Sequence, residues 1–267
     1  MLKKFKPITP SSRNLIRLCT KNLNNKPLLK SKILGFKLNS GRNSLGRITC
    51  RHRGGGHKKK YRELNLYRNS NIISIVLSVE YDPNRSANIV SVYNICNKRY
   101  DYYLAAKNVK IGDVLKSGDI SDIKNGNSLP ISKIPLGSFI HCVSLKKRGK
   151  AILSRSAGTS CELVEKNNVS ANIILCSKQR KSISIECFAV IGSVSNESKI
   201  LTNVGKAGRS RWLNKRPKVR GVAMNPVDHP HGGGEGKTSG GRTSVTPWGK
   251  PGKNKKTSRR VVKSKKY

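Results

Sequence analysis

The stretch Ile73-Ser-Ile-Val-Leu-Ser-Val-Glu-Tyr81 alternates large apolar residues with mostly polar ones. An alternation of period two is typical of a β-strand that buries one face and exposes the other. Asp82-Pro-Asn-Arg-Ser86 then supplies residues that favour a tight turn, and apolar character returns over residues 87–95. The pattern predicts a β-hairpin, and this hairpin sets the fold class.

The chain continues in the same style after the hairpin. Turn residues such as Gly112-Asp113 and Asn125-Gly126 punctuate it, and no clear amphipathic helix interrupts it. Short connections without helices favour small β-barrels over a parallel α/β sheet, so we predict an all-β fold. A boundary near residues 125–135 would leave two halves of about 65 residues, each sufficient for a small barrel. The further predicted strands cover residues 100–104, 139–145, 161–165, 169–176 and 182–189.

Charge is distributed unevenly along the 267 residues, whose formal net charge is +42. Residues 1–60 contain 17 Lys and Arg and no acid, and residues 199–267 contain 19 against two acids. Residues 61–198 are closer to an ordinary protein, with 19 basic and 11 acidic residues. A single short basic run is usually a solvated face, but two such long arms would repel themselves unless a polyanion neutralised them. The distribution therefore predicts a nucleic-acid-binding protein.

These patterns divide the chain into four parts. We predict a basic N-terminal extension over residues 1–60, one β-domain over 61–125, a second over 126–198 and a basic C-terminal extension over 199–267. Large apolar residues are sparse after Ile200, so we expect the C-terminal arm to stay irregular and mobile until it is bound. A histone-like DNA packager is an alternative, although the chain lacks a helix-turn-helix or helical histone pattern.

The composition also bears on membranes and disulfides. No apolar run approaches the ~18 residues that a membrane-spanning helix requires. The seven cysteines are scattered and include no Cys-x-x-Cys pair, which fits neither a disulfide framework nor a zinc ribbon. We interpret most of them as small buried or half-buried apolar side chains in a protein of a reducing compartment.

A loop near the C-terminus, residues 221–237, combines Pro226 and Pro230 with the run Gly232-Gly233-Gly234. Neither a helix nor a central strand tolerates this composition. The loop has hardly any apolar content with which to bury itself. We therefore expect it to fold only against something that holds it from outside.

Three chemical interpretations of this loop are open. The ending Gly236-Lys237-Thr238 suggests a nucleotide-binding P-loop, but that pattern requires a glycine at His231, a preceding strand and a following helix. His229 and His231 suggest a metal site with Asp228 as a third ligand, although two histidines alone rarely hold an ion. The third interpretation is a polar loop packed into folded RNA, with amides and Lys237 on phosphates and imidazoles on bases or riboses. The third fits the flanking charge best.

Aromatic and basic residues stand side by side at three places, where a ring could stack on an unpaired base beside a phosphate contact. For Trp212, pinning the arm to the β body is an equal alternative, whereas stacking is favoured for Trp248. The turn Arg155-Ser-Ala-Gly-Thr159 is either RNA-facing or ordinary. The glycines of Arg53-Gly-Gly-Gly-His57 would let the backbone approach phosphates. The three places are Arg209-Ser-Arg-Trp212, Lys58-Lys-Lys-Tyr-Arg62 and Thr246-Pro-Trp-Gly-Lys250.

Taken in order, these motifs resemble the universal large-subunit ribosomal protein two family, of bacterial or organellar type. The resemblance implies an OB-fold barrel followed by an SH3-like barrel, with basic extensions that run into ribosomal RNA. It implies a non-enzymatic, primary rRNA binder that supports subunit association and assembly of the peptidyl transferase centre. The motifs are Gly41-Arg42-Asn43, Gly46-Arg47-Ile48, Arg53-Gly-Gly-Gly-His-Lys58, Glu80-Tyr-Asp-Pro-Asn-Arg-Ser-Ala87, Arg155-Ser-Ala-Gly-Thr159, Gly205-Lys-Ala-Gly208, Arg211-Trp212 and Met224-Asn-Pro-Val-Asp-His-Pro-His-Gly-Gly-Gly-Glu-Gly236.

The same resemblance implies the functional residues and partners. The partners are large-subunit rRNA, small-subunit rRNA at the intersubunit bridge and neighbouring ribosomal proteins, with no membrane and no small-molecule substrate. No catalytic residue, cofactor or protein-bound metal is expected, and structural Mg²⁺ would be bound through rRNA. The loop near the peptidyl transferase centre comprises Met224, Asn225, Asp228, His229, His231, Gly232, Gly233 and Gly234, with His229 shaping the site. The predicted rRNA-binding residues are Arg42, Arg47, Arg51, Arg53, His57, Lys58, Lys59, Arg85, Arg155, Lys206, Arg211, Trp212, Arg216, Arg220, Lys237 and Trp248.

The compartment is inferred from composition and from one segment. Abundant Asn, Lys and Ile suggest an AT-rich organelle genome, and residues 238–251 resemble mitochondrial and alphaproteobacterial members more than plastid ones. Residues 6–13 already resemble the family's own start, which leaves little for a transit peptide. The chain departs from the family at residues 146–150, where a more glycine-rich turn is usual, and matches only in basic character over 14–40 and after Arg260. We predict a mitochondrial ribosome, with a plastid or the bacterial cytoplasm as alternatives.

Overall fold

The predicted hairpin is present in the computed structural model, which describes residues 2–236 and 238–252. Its strands are Ile72–Glu80 and Ile89–Asn94, paired antiparallel from Ser74 opposite Asn94 to Glu80 opposite Ile89. The residues that face inward are Ser74, Val76, Ser78 and Glu80, whereas the apolar set of Ile73, Ile75, Leu77 and Val79 is exposed or half-buried. The alternation therefore predicted the strand but the wrong buried face. The buried polar groups of Ser74, Ser78 and Glu80 are hydrogen-bonded to Asn94, Ser91 and Tyr102.

Sixteen strands, β1–β16, lie in the described part of the chain, together with one short α-helix, α1, at Ala207–Trp212. Single 3-10 turns occur at Lys30–Lys32, Ile131–Lys133, Glu197–Leu201 and Gly221–Ala223. The strands are β1 Leu2–Lys4, β2 Ile16–Leu18, β3 Ile33–Gly35, β4 Lys60–Arg62, β5 Ile72–Glu80, β6 Ile89–Asn94, β7 Arg99–Leu104, β8 Val114–Ser117, β9 Ser128–Pro130, β10 Phe139–His141, β11 Val143–Ser144, β12 Ala151–Leu153, β13 Cys161–Lys166, β14 Ser170–Ile174, β15 Arg180–Ser184 and β16 Phe188–Ile191.

Ten of these strands form one sheet in the order β15-β14-β13-β10-β16-β9-β8-β5-β6-β7. Neighbours pair antiparallel except β8 and β9, which meet in parallel at Ser117 and Ser128. This contact joins a first half, β5–β8, to a second half, β9, β10 and β13–β16. The predicted all-β class, an OB-fold barrel followed by an SH3-like barrel, is confirmed.

Each half has its own apolar core. In the first half, Val76, Val92 and Tyr103 are almost completely buried with Leu115. The second half buries a larger, mostly aliphatic cluster, with members on β9, β10, β11, β13, β14, β15 and β16. That cluster comprises Leu129, Ile131, Ile134, Ile140, Val143, Cys161, Leu163, Ala171, Ile173, Ile183, Cys187 and Ala189.

Two predicted strands are each divided in the structure. The run 139–145 breaks between β10 and β11 because Cys142 adopts a left-handed conformation, with φ of 50°. The run 182–189 ends as β15 at Ser184 and resumes as β16 at Phe188, after a turn in which the Cys187 amide donates to Ser184 O at 3.1 Å. The strands β8, β9 and β12 were not predicted, since each is only three or four residues long.

The N-terminal segment is more ordered than its composition predicts. Strand β1 pairs with β2, and β3 pairs with β4. Farther along, buried Glu80 accepts a hydrogen bond from the Leu28 amide at 3.1 Å and one from the Tyr102 hydroxyl at 3.0 Å. The Leu29 amide donates to the same hydroxyl at 3.0 Å. These buried bonds hold residues 28–29 on the first half of the sheet.

The chain divides into two compact units. The first runs up to Lys37 and continues over Lys58–Arg209, so it holds all sixteen strands. The second combines Leu38–His57 with the chain from Ser210 onward. The four parts proposed from the sequence, bounded at residues 60, 125 and 198, stay a prediction.

The seven cysteines differ in burial. Cys142, Cys161 and Cys187 are buried, and burial raises the pKa of Cys142 to about 12, which keeps that thiol protonated. The other four are exposed, so the interpretation as buried apolar side chains fits three cysteines, not most of them.

Within residues 2–236 and 238–252, no helix has the length and apolar character to cross a membrane.

Candidate nucleic-acid interface

The second unit brings two distant basic segments into contact. Backbone hydrogen bonds link them at the Arg216 amide to His52 O and at the His57 amide to Trp212 O, both 3.0 Å long. Arg53 and Lys215 form an antiparallel bridge between these bonds. Twelve Lys and Arg stand against two acids over residues 38–57 and 210–252. The arms that the sequence separates by more than 150 residues therefore share one interface.

The glycine run in the first of these segments packs against protein. A Cβ built on Gly56 would lie 2.9 Å from the backbone Cα of Asn214, which leaves no room for a side chain. A Cβ on Gly55 would meet a guanidinium nitrogen of Arg211 at 3.1 Å. Close approach of a phosphate was predicted here, but Gly56 serves the approach of the other arm. Sequence reasoning could not separate these two uses of glycine.

The loop over residues 221–236 is held by its own hydrogen bonds. The amides of Asp228 and Gly233 donate to Asn225 O and Met224 O, at 3.0 and 3.1 Å. The Gly232 amide donates to His229 O at 2.9 Å. We expected the loop to need an external surface to fold, and instead the chain itself supplies these bonds.

His229 lies at the centre of this loop and is buried, with 8% of its surface exposed. Its Nδ1 accepts the His231 amide at 3.0 Å, so in the neutral ring the proton lies on Nε2. The ring lies against Gly221, where an added Cβ would approach ring atoms to 2.5–2.7 Å. Gly221 therefore makes space for the imidazole, and Nε2 is left as a hydrogen-bond donor.

His231 stabilises the next part of the chain. Its Nε2 accepts the Val245 amide at 3.1 Å, so Nδ1 carries the proton toward Gly240 O, also 3.1 Å away. The two imidazoles stack with centroids 5.3 Å apart. Since these bonds occupy three of the four ring nitrogens, the loop does not present a pair of histidine ligands. No group of three His, Cys, Asp or Glu that could hold a metal occurs among the described residues.

The context of a P-loop is also missing. A 3-10 turn at Gly221–Ala223, not a strand, precedes Gly232–Gly236 in the described chain, and bends and turns follow over residues 238–252. Lys237, the predicted phosphate contact of this loop, lies outside the described residues.

The predicted basic residues of the second unit are mostly exposed. Arg51 lies over the ring of Trp248, with its guanidinium carbon 5.3 Å from the centroid, although 64% of Trp248 remains exposed. This cation–π contact links the two arms and leaves ring surface for stacking. Trp212 lies on α1 and is 52% exposed. The other predicted rRNA-binding residues of this unit are exposed Arg42, Arg47, Arg53, His57, Arg216 and Arg220 and half-buried Arg211. Of the predicted loop residues, Met224 is half-buried, and Asn225 and Asp228 are exposed.

In the first unit, the two predicted arginine turns are joined through one serine. Ser86 Oγ accepts the Ala157 amide at 3.1 Å, which places the turn of Arg155 beside that of Arg85. Arg85 is held by Asp82 at 2.6 Å, whereas Arg155 is exposed. Lys58, half-buried Lys59 and exposed Lys206 also lie in this unit. The role of Ser86 had no signal in the sequence beyond its place in a turn.

Comparison with known proteins gives two matches that cover most of the chain. Residues 29–117 match a family model described as Ribosomal Proteins L2, RNA binding N-terminal domain. Residues 124–249 match the model described as Ribosomal Proteins L2, C-terminal domain. The chain belongs to the ribosomal protein L2 family. The two L2 models meet at the connection between β8 and β9, where the two halves of the sheet also meet.

Relatives in the L2 family align along almost their whole length. The large ribosomal subunit protein uL2 of Rickettsia typhi is 49% identical over 272 residues, covering 99% of each chain. The protein of the same name from Wolbachia sp. subsp. Brugia malayi is 48% identical over 266 residues, covering all of this chain and 97% of its own. The L2 family consists of structural ribosomal proteins, not enzymes. Both organisms are bacteria, so these relatives do not establish the predicted mitochondrial origin.

Proposed function

We propose that this chain is a structural constituent of the large ribosomal subunit and a primary binder of its rRNA. The observation that carries the proposal is the second unit, where two acid-poor arms pair through their backbones and expose most of their arginines. The described residues of this unit carry eleven Lys and Arg against two acids, so they need a polyanion to neutralise them. Membership of the L2 family identifies ribosomal RNA as that polyanion.

The loop over residues 221–236 is proposed to lie toward the peptidyl transferase centre. Buried His229 would hold RNA in position there through a hydrogen bond. Its Nδ1 is engaged by the His231 amide, and its Nε2–H remains available as the donor. A donor of this kind can bond a phosphate, a ribose or a base edge. The residue positions RNA in this proposal and transfers no proton.

Further partners follow from the same proposal. Small-subunit rRNA at the intersubunit bridge and neighbouring ribosomal proteins would contact the parts of the chain that large-subunit rRNA leaves uncovered. Mg²⁺ would reach the protein through rRNA phosphates, since hard cations prefer oxygen ligands. No protein-bound cofactor is part of the proposal.

We also propose that the ribosome in question is mitochondrial, with a plastid or the bacterial cytoplasm as alternatives. The support is the abundance of Asn, Lys and Ile and the character of residues 238–251. An epitope-tagged chain expressed in the source cells should sediment with the large particle of fractionated mitochondria. Sedimentation only with bacterial or plastid particles would overturn the compartment and leave the ribosomal function intact.

Binding competition tests the function itself. The purified chain should prefer folded large-subunit rRNA to duplex DNA of equal length and charge, because both extensions are proposed to follow an irregular RNA surface. Success of the duplex DNA as competitor would favour a DNA packager. Binding of ATP or GTP at micromolar affinity, lost in Lys237→Ala, would favour a nucleotide hydrolase.

A further inference from the structure

The outer face of the first half of the sheet carries an apolar row that the proposed function does not use. Tyr100 on β7 is the register partner of Tyr93 on β6, and Tyr93 is the partner of Ile75 on β5. Ile75 is in turn the partner of Val114 on β8. Register partners on adjacent strands project from the same face, so these four side chains form one row across four strands. We refer to this row as the tyrosine platform.

The platform is open in the described structure. Tyr100 is 51% exposed and Val114 is 52% exposed, and the rings of Tyr93 and Tyr100 lie 5.0 Å apart at 45°. Ile73 and Ile95, linked by a backbone hydrogen bond of 2.9 Å, are 41% and 46% exposed beside them. Exposed aromatic and aliphatic side chains grouped in this way mark a binding surface.

The charges around the platform favour an anionic occupant. Lys98 lies in the turn between β6 and β7, two residues from Tyr100, and it pairs with no acid among the described residues. Arg99 begins β7 opposite buried Asn94 and therefore lies on the other face of the sheet. The nearby carboxylate of Asp101 is occupied, by Lys32 at 3.5 Å and by the side-chain amides of Asn94 and Asn65 at 2.8 and 3.2 Å. The carboxylate of Asp113, next to Val114, accepts the Lys110 amide at 2.7 Å. Lys98 is therefore an uncompensated cation beside the rings, whereas these acids have hydrogen-bond partners.

We propose that the tyrosine platform stacks an unpaired nucleobase of RNA, while Lys98 contacts a flanking phosphate. A phenol ring stacks on any base, and exposed aromatics on a sheet face are a common way to hold single-stranded RNA. The inference rests on the proposed rRNA-binding function, and both tyrosines lie within the match to the RNA-binding domain. A protein partner would be expected to bring an acid for Lys98, and it is the competing outcome.

The test compares the full chain with a Tyr93→Ala/Tyr100→Ala double variant. The probes are a 20-nucleotide single-stranded oligoadenylate and an RNA duplex of the same length, at a salt concentration that suppresses the general charge attraction. Affinity for the single strand should fall roughly tenfold or more, as expected for loss of base stacking, and affinity for the duplex should be unchanged. Tyr67→Ala, at a tyrosine that is 56% exposed elsewhere in the unit, serves as the matched control.

Two further variants separate stacking from charge. Tyr93→Phe/Tyr100→Phe should retain single-strand affinity, because the rings remain. Lys98→Ser should make the log–log salt slope shallower by about 0.7, as expected for one lost phosphate contact on a single strand. A double alanine variant that binds the single strand as well as Tyr67→Ala does would overturn the proposal. So would ultraviolet cross-links in assembled particles that join these tyrosines to a peptide instead of a nucleotide.

The outcome also distinguishes this inference from the function on which it rests. If the unaltered chain fails to bind large-subunit rRNA, the proposed function is wrong. If it binds that rRNA and the alanine variant keeps its affinity for the single strand, only the platform is wrong. Native stability of each variant is checked by unfolding, and the exposed position of Tyr100 predicts no large change.

Discussion

At the scale of single residues, the candidate loop depends on a glycine that no motif explains by itself. Gly221 faces the imidazole of His229, and a Cβ there would come within 2.5–2.7 Å of ring atoms. We predict that Gly221→Ala displaces the ring and destabilises the loop by about 1–3 kcal/mol, the usual cost of overpacking. Hydrogen exchange of the His231 amide, which donates to His229 Nδ1, measures the effect directly.

The control for this change is Gly208→Ala. Gly208 lies on α1, and a Cβ at that position would meet nothing within 4 Å. Hydrogen exchange of the His231 amide should therefore be the same in Gly208→Ala as in the unaltered chain. Equal protection of that amide in the unaltered chain and in Gly221→Ala would contradict the contact.

A second residue gives a pH dependence. His141 is completely buried, and burial lowers its pKa from 6.5 to about 4, so the native state holds a neutral ring whose Nδ1–H donates to Gly192 O at 2.9 Å. The unfolded chain takes up the proton at higher pH than the folded one. Stability should therefore be complete above pH 6.5 and should fall by about 3 kcal/mol as the pH drops to about 4.

His141→Asn isolates this effect from the titration of carboxylates. The asparagine amide can donate to Gly192 O in place of Nδ1 but does not titrate. Denaturant unfolding between pH 7.5 and 4 should show a smaller loss of stability in His141→Asn than in the unaltered chain. Identical pH profiles would mean that His141 contributes nothing to acid sensitivity.

Sequence patterns identified most of the residues in the candidate interface but not their partners. The exposed arginines follow from charge and from the family's motifs. The contact of Gly221 with His229, and that of Arg51 with Trp248 across almost 200 residues, do not. Glycine is required both where a ring packs and where a phosphate approaches, so composition alone does not tell these cases apart.

At the scale of elements, the N-terminal segment is held by two residues of the first barrel. Burial raises the pKa of Tyr102 to about 12, so its hydroxyl stays protonated and donates to Glu80 while it accepts the Leu29 amide. We predict that Tyr102→Phe leaves that amide and a carboxylate oxygen unpaired and costs about 1–3 kcal/mol. The segment around residues 21–32 should then be cut faster by trypsin, which cleaves after Lys21, Lys30 and Lys32.

Tyr67→Phe is the control for this change, because Tyr67 is exposed. Its tryptic cleavage should match that of the unaltered chain. If Tyr102→Phe is cleaved no faster than the control, the hydroxyl does not hold the segment in place.

The predictability of each element depends on its length and alternation. The hairpin of β5 and β6 was predicted because nine residues alternate on one strand. The break at Cys142 was not predicted, because cysteine has no intrinsic preference for the left-handed backbone conformation and only the surrounding structure imposes it. Strands such as β1 and β2 have three residues each, and they are stabilised by pairing with each other and not by a sequence pattern of their own.

At the scale of the whole molecule, each basic arm is divided: Leu38–His57 and the chain from Ser210 onward form one unit, whereas the remainder of the arms belongs with the strands. Charge predicted that the arms bind nucleic acid, but it gave no indication that Leu38–His57 would pair with the chain after Ser210. Such long-range pairing depends on backbone bonds and on close contacts at glycine, neither of which has a sequence period. The mobile, RNA-dependent C-terminal arm that we expected is instead partly organised by the chain itself.

The central claim is that the basic arms neutralise RNA phosphates, and the salt dependence of rRNA affinity tests it most directly. If about ten phosphates are contacted, the slope of log affinity against log salt should lie near −7 to −9. The measurement is made on the full chain with large-subunit rRNA over a fourfold range of salt. A slope near −2 would contradict the account, because it would mean that only two or three of the exposed cations engage the RNA.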